Sequence, residues 1–371
     1  MAVERVVATF IELVKIDSES KNEGKFQAYL KTKFEKLGLD VYEDDTIAQT
    51  GLGANNLVCR LAGNTAADAL FFSCHVDTVT PGVGIKPVIK EDAVYSDGTT
   101  ILAADDKAGI AIMIELIEQL KENNEPHGTV EFVLSPGEEI GLVGASAFDV
   151  GVLEADYGFV LDNGGPVGSI TVGSPTLYGI EVTIKGITAH AGLEPEKGVS
   201  AIEIAAKAIA KMKLGRLDAD TTANIGTING GTASNIVADE VRVFAEARSI
   251  SHEACEAQVK HMTDLFIETA KELGGTATVV TDIKSVGYRF TKESKTVKLA
   301  AEAITKINRT PNYDISGGGS DANVFNAKGK ETANLSIGYE KIHTVHEMIP
   351  IIELKKAVEL AYQLVKDVGQ K

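Results

Sequence analysis

Histidines and carboxylates gather where apolar runs of this chain end. His75 closes Leu70-Phe71-Phe72-Ser73-Cys74-His75, and Asp77 follows two positions on. Residues i and i+2 of an extended chain point to one side, so Asp77 can orient the imidazole and fix which ring nitrogen faces a metal. A hydrogen-bonded histidine at a strand end is the plainer alternative. The run Asp105-Asp106-Lys107-Ala108-Gly109 enters a helix. One aspartate would serve as an N-cap; two exceed that need, and a carboxylate can bridge two cations. Glu138 and Glu139 follow Ser135-Pro136-Gly137 directly after another apolar run. Adjacent side chains in a turn point differently, so one can ligate a metal and the other take a proton from water; an acidic surface loop is the alternative. Asp162 ends Gly158-Phe159-Val160-Leu161, where an unpaired charge is costly, although Asp-Asn-Gly also makes a turn. The order His343-Thr344-Val345-His346-Glu347 is not that of the helical HExxH zinc motif, but one of its histidines can complete a site.

Imidazole and carboxylate donors without thiolate suit zinc, with manganese or cobalt as alternatives. Two such ions sharing one carboxylate and one water would activate a nucleophile near neutral pH and polarise an amide carbonyl. Cys59, Cys74 and Cys255 are widely spaced in apolar stretches and read as buried reduced thiols. A net charge of −17 repels phosphate backbones, so nucleic acid is not an expected partner. No run of about 18 apolar residues suggests a membrane span. The amphipathic stretch from Met1 to Ile16 reads as a surface helix and not as a signal peptide, so the expected compartment is the cytoplasm.

With 371 residues the chain exceeds the usual size of a single core, and two domains are expected. Helices are expected over Val3–Ile16, Glu23–Leu37 and Asp106–Lys121, with strands over Asn56–Leu61, Ala69–His75, Thr129–Ser135 and Tyr157–Asp162. A hairpin is expected around Lys86–Ser96. Buried strands alternating with helices argue for an α/β sheet covered on both faces. After Gly173 the pattern becomes β-α-β-β-α-β: Leu177–Lys185, Val199–Met212, Ala223–Ile228, Glu240–Ser249, His252–Leu273 and Thr276–Lys284. That order is a ferredoxin-like split βαβ unit. The expected division is therefore residues 1–175 with 289–371, holding the chemistry, and an insertion over 176–288.

Taken in order, these motifs resemble the di-zinc family of peptidase T, glutamate carboxypeptidase, aminoacylase and acetylornithine deacetylase. The likeness covers nearly the whole chain, and Asp105-Asp106-Lys107-Ala108-Gly109 looks most like the tripeptidase branch. The resemblance implies a mixed-sheet catalytic domain with an inserted lid, through which many members form homodimers while others are monomers. It implies two zinc ions per subunit, one held by His75, Asp105 and Asp162 and the other by Asp105, Glu139 and His343. It makes Glu138 the general base and Asp77 the group that orients His75, and it implies a cis peptide after Asp105. His343 is preferred to His346 because the family's ligand stands four residues before a glutamate, here Glu347. Gly186-Ile187-Thr188-Ala189-His190-Ala191-Gly192 matches the lid motif, implying that His190 stabilises the oxyanion. Asn235 and Arg248 resemble residues that grip substrate, Arg248 through a terminal carboxylate. Gly319 and Ser320 resemble a loop whose N–H groups approach the substrate, although such a loop also makes a plain N-cap.

The implied activity is hydrolysis of the N-terminal peptide bond of a small peptide, tripeptides foremost. A deacylase of N-acyl amino acids or a carboxypeptidase of the same family is the enzymatic alternative. A catalytically silent peptide-binding protein is the other, and the presence of Glu138 and the full ligand set weighs against it.

Overall fold

The computed structural model describes residues 4–370. The chain folds into two compact units: Met1–Gly173 with Phe290–Ser316 and Ser320–Lys371, and Ser174–Arg289 with Gly317–Gly319.

The first unit is built on a mixed sheet. Its centre is four parallel strands in the spatial order Val130–Ser135, Leu70–His75, Tyr157–Asn163 and Glu331–Ser336. Leu57–Leu61 and Asp40–Glu43 extend one side antiparallel. Ser169–Ser174 pairs antiparallel with Glu331–Ser336, and Asn312–Ile315 runs parallel to Ser169–Ser174. Successive side chains of a strand face opposite ways, and the phenylalanines show it. Phe72 stacks with Phe132 and lies tilted against Phe159 on one face, while Phe71 meets Phe325 at 5.0 Å on the other. The first face is covered by Arg5–Val14, Ala104–Asn123, Lys295–Lys306 and Ile351–Gly369. Val6, Val7, Phe10, Leu13 and Val14 form the buried stripe of the first of these helices, as its 3.6-residue period requires; the expected start at Val3 lies outside the described residues. Ala104–Asn123 is instead buried on every side through Ile117, because it lies between the sheet and the neighbouring helices.

The second unit is a five-stranded antiparallel sheet in the order Gly215–Arg216, Thr221–Gly230, Glu240–Ser249, Thr176–Lys185, Thr276–Ser285. Helices Ala201–Lys211 and His252–Glu272 seal one face through Ile204, Met262 and Phe266 against Val182, Ile184, Val241 and Val243. Ser200 and Ser251 cap these helices by accepting from the N–H groups of Glu203 and Ala254, which satisfies orphan donors of the first turn. On the other face Phe244 and Val280 are exposed. Among the described residues no helix is long and apolar enough to cross a membrane.

Candidate metal centre

The carboxyl ends of the parallel strands in an open α/β sheet are where binding groups collect, and here they carry four of the expected groups. His75 is the last residue of a strand whose six residues are all buried. Its Nδ1 lies 2.9 Å from the Asp77 carbonyl oxygen and 3.4 Å from Asp77 Oδ1. That leaves Nε2 turned to Asp105 Oδ1 at 2.9 Å and Asp162 Oδ1 at 3.9 Å. Asp77 has a second task. Its carboxylate accepts the N–H groups of Glu138 and Glu139 at 2.9 and 3.2 Å, and the Ser20 hydroxyl at 2.7 Å. Asp77 thus meets the imidazole through its main-chain carbonyl, while its carboxylate holds the turn that presents both glutamates.

Asp105 and Asp106 sit at the start of Ala104–Asn123 with non-helical backbone angles, joined by a cis peptide bond. Asp105 stands between two imidazoles. While Oδ1 faces His75, Oδ2 lies 3.3 Å from His343 Nε2, which is itself 3.0 Å from Glu139 Oε1. Each histidine therefore shares Asp105 and has one further carboxylate, Asp162 or Glu139. His343 lies in a loop closed by backbone hydrogen bonds between Glu340 and Met348 at 2.8 and 3.1 Å. His346, in the same loop, is exposed, and its N–H donates to Thr344 Oγ1. Asp106 is fully buried behind His75 and accepts that residue's N–H at 3.2 Å. Ligating atoms of His75, Asp105 and Glu139 lie within 4.8 Å of one another, as do those of His75, Asp106 and Asp162.

This crowding of carboxylates is electrostatically expensive. Burial, then the charge of Asp105, pushes the Asp162 carboxyl well above its ordinary range. Glu138 is raised likewise by burial and by Asp321, Glu139 and Asp105. Asp105 is instead held low: the hydrogen bonds from His343 and His75 overcome its burial. His75 stays well above its ordinary pKa because Asp105, Asp77 and Asp162 outweigh its burial. His343 is raised to about 10 by Asp105 and Glu139. Such a set of buried negative groups calls for compensating positive charge. The nearby Lys107 supplies little, since burial lowers its pKa to about 7; its Nζ is spent on the Ile16 carbonyl at 2.5 Å and the Phe26 ring at 4.5 Å. Divalent cations bound by imidazole and carboxylate fit the donors present.

A model of peptidase family M20/M25/M40 matches residues 71–367. The chain belongs to this family. Over 99% of both chains it is 50% identical to an uncharacterized protein, YqjE, of Bacillus subtilis (strain 168). It is similar to the solved structure of aminopeptidase PepT from Bacillus cereus ATCC 10987, at 53% identity over 98% of each chain and a TM-score of 0.95. A tripeptidase from Staphylococcus aureus subsp. aureus Mu50 matches at 47% identity over 99% of this chain and 98% of that one, with a TM-score of 0.96. The chain is accordingly a hydrolase of the M20/M25/M40 peptidases.

In this family member several supporting residues carry no local sequence signal. Tyr339 donates its hydroxyl to Asp162 Oδ1 at 2.8 Å. Glu347 accepts the N–H groups of Leu102, Ala103 and Asp105. Asp321 is buried, accepts a hydrogen bond from Ser135, and is raised by burial to about 6. Their partners lie far away in sequence, so only the folded chain reveals them. A glutamate four residues beyond His343 was the one available hint.

The remaining expected residues are differently placed. Ser320 is the N-cap of Asp321–Ala327 within a capping box. In the second unit His190 is exposed, bridges antiparallel to Ile236, and accepts the Gly192 N–H on Nδ1 at 3.2 Å. Asn235 accepts the Ala191 N–H on its carbonyl. Arg248 forks onto Glu246 at 2.9 and 3.0 Å and donates to the Gly317 carbonyl at 2.8 Å, and Gly319 belongs to that same unit.

Proposed function

We propose that this chain is a zinc-dependent tripeptidase that removes the N-terminal residue of short peptides. The observation that carries this reading is the Asp105 carboxylate, whose two oxygens face His75 at 2.9 Å and His343 at 3.3 Å. That is the disposition a carboxylate shared by two cations needs. The two solved structures of similar sequence, named an aminopeptidase and a tripeptidase, support the substrate class.

His75, Asp105 and Asp162 would hold one ion, and Asp105, Glu139 and His343 the other, zinc being the favoured metal and manganese or cobalt alternatives. Such ions, when bound, would lower the pKa of a water and polarise the peptide carbonyl. The protein's own residues do the rest. Glu138, held in place by Asp77 through its N–H, takes a proton from the attacking water and hands it to the departing amine. A carboxyl raised by burial suits such a relay, because its proton affinity approaches that of its partners. Asp77 keeps His75 Nε2 turned inward. His190 is assigned to the developing oxyanion on the strength of the motif around it. Asn235, Gly319 and Ser320 are assigned to substrate. Arg248 would receive a terminal carboxylate by exchanging it for Glu246.

The exposed apolar side chains Phe244 and Val280 support a homodimer through the second unit. Three free buried cysteines suit the reducing cytoplasm.

The test is a panel of di- and tripeptides beside N-acetyl and N-succinyl amino acids, offered to the zinc-loaded chain. Release of the first amino acid from tripeptides is expected. Turnover of the N-acyl amino acids alone would move the chain to a deacylase activity.

A further inference from the structure

The helix Ala104–Asn123 begins without a local cap. Its N-cap position is Ala103, which has no side chain able to accept a hydrogen bond and adopts a left-handed backbone with φ of 61°. That conformation is uncommon for a residue with a Cβ. The N–H groups at a helix start need acceptors from somewhere. Here one carboxylate serves three N–H groups at and just before that start: Glu347 Oε2 takes Leu102 and Ala103 at 2.7 and 2.9 Å, and Oε1 takes Asp105 at 3.1 Å. The carboxylate is only 1% exposed and comes from a distant part of the chain.

The other end of this link is equally fixed. Glu347 belongs to the loop closed by the Glu340–Met348 pair, donates its own N–H to Thr344, and accepts the Ser96 N–H on its carbonyl. His343 projects from that loop. An acceptor side chain at position 103 could reach only N–H groups that follow it and not those of Leu102 and Ala103, so the contact from Glu347 has no local substitute.

We propose that Glu347 is a positioning residue: its carboxylate ties the loop bearing Asp105 to the loop bearing His343 and so sets the spacing of these two metal-ligating groups. This rests on the reading of the site as a metal centre. A ligand held at the wrong spacing binds its ion weakly, and partners that orient ligands typically contribute about 10- to 100-fold to metal affinity. Glu347→Gln keeps the shape but turns one acceptor into a donor, so at least one of the three N–H groups loses its partner.

The experiment titrates metal-free wild type and Glu347→Gln with zinc against a competing chelator and follows amide hydrogen exchange at Leu102, Ala103 and Asp105. Zinc affinity should fall about 10- to 100-fold, exchange at those amides should quicken, and excess zinc should restore turnover with KM unchanged. Glu131→Gln is the control. That carboxylate is also buried and accepts two backbone N–H groups, from Glu154 and Ala155, beside the Arg60 guanidinium, so its loss should alter stability and leave zinc affinity alone. Wild-type zinc affinity in Glu347→Gln, or an equal loss in the control, overturns the proposal. If Glu347→Gln does not fold, Glu347→Asp is measured in the same way; failure of both to fold also overturns it, since the carboxylate would then belong to the fold and not to the ligand spacing. No zinc binding by the wild type would instead defeat the metal-centre reading itself.

Discussion

Glu138 and Glu139 are neighbours with different work, and the division is set by what surrounds each. Glu139 lies 3.0 Å from His343; the pKa of Glu138 is raised first by its burial and then by the carboxylates of Asp321, Glu139 and Asp105. Replacing Glu138 with glutamine should lower kcat by about 10²–10⁴-fold, the usual contribution of a positioned general base. Metal content measured on the same sample should not change. Full activity, or loss of metal with the activity, would remove Glu138 from the proton relay. Lys107 offers a test of a different kind. Burial lowers its pKa to about 7, against about 10.4 in an unfolded chain. A cation whose pKa is lower in the folded state makes folding less favourable once it is charged. That penalty develops as pH falls from about 10 to 7 and is constant below. In metal-free protein, Lys107→Met should therefore gain stability relative to wild type over that same interval and level off below it. Denaturant unfolding at a series of pH values measures this, and a pH-independent difference would contradict it.

At the scale of elements, the helix Ala104–Asn123 is where packing and chemistry meet. Gly109 lies against the strand ends: a Cβ there would fall 2.4 Å from Asp106 Oδ1 and from Cys74 Sγ, and 2.8 Å from the Leu161 carbonyl. Glycine to alanine in a helix ordinarily gains about 1 kcal/mol, whereas forcing extra volume into a packed core costs about 1–3 kcal/mol. The clash should win, so Gly109→Ala should lower Tm and weaken zinc binding by displacing Asp106 from behind His75. A raised Tm would show that the site has room to relax. The same helix shows what could be read beforehand. The expected start at Asp106 falls two residues inside Ala104–Asn123, at a place where Asp105 and Asp106 depart from helical angles. Runs such as Leu70–His75 and Val130–Ser135 declared themselves by their mainly apolar character, and the proposed ligands His75, Glu139 and Asp162 were visible because they lie at or just past the ends of such runs. Asp40–Glu43 and Asn312–Ile315 escaped notice because they are polar, short strands with exposed residues. Tyr339, Glu347 and Ser20 escaped because their roles exist only through contacts with remote segments.

At the scale of the molecule, each unit has its own hydrophobic core, and the proposed ligands all come from the first. Their donors are drawn from three strand ends, one helix start and one late loop, so the centre is assembled only when the sheet is complete. Bringing buried carboxylates together opposes folding unless cations offset their charge, and any ion that binds the folded state alone stabilises it by mass action. Metal binding, stability and turnover should thus rise together. The most direct measurement is a zinc titration of the metal-free chain in which release of the N-terminal amino acid from a tripeptide is followed at every addition. Release should be absent without metal and climb to a plateau as two zinc ions per chain are bound. Undiminished release by the metal-free chain, or saturation with zinc and no cleavage of any tripeptide, would contradict a paired-metal tripeptidase.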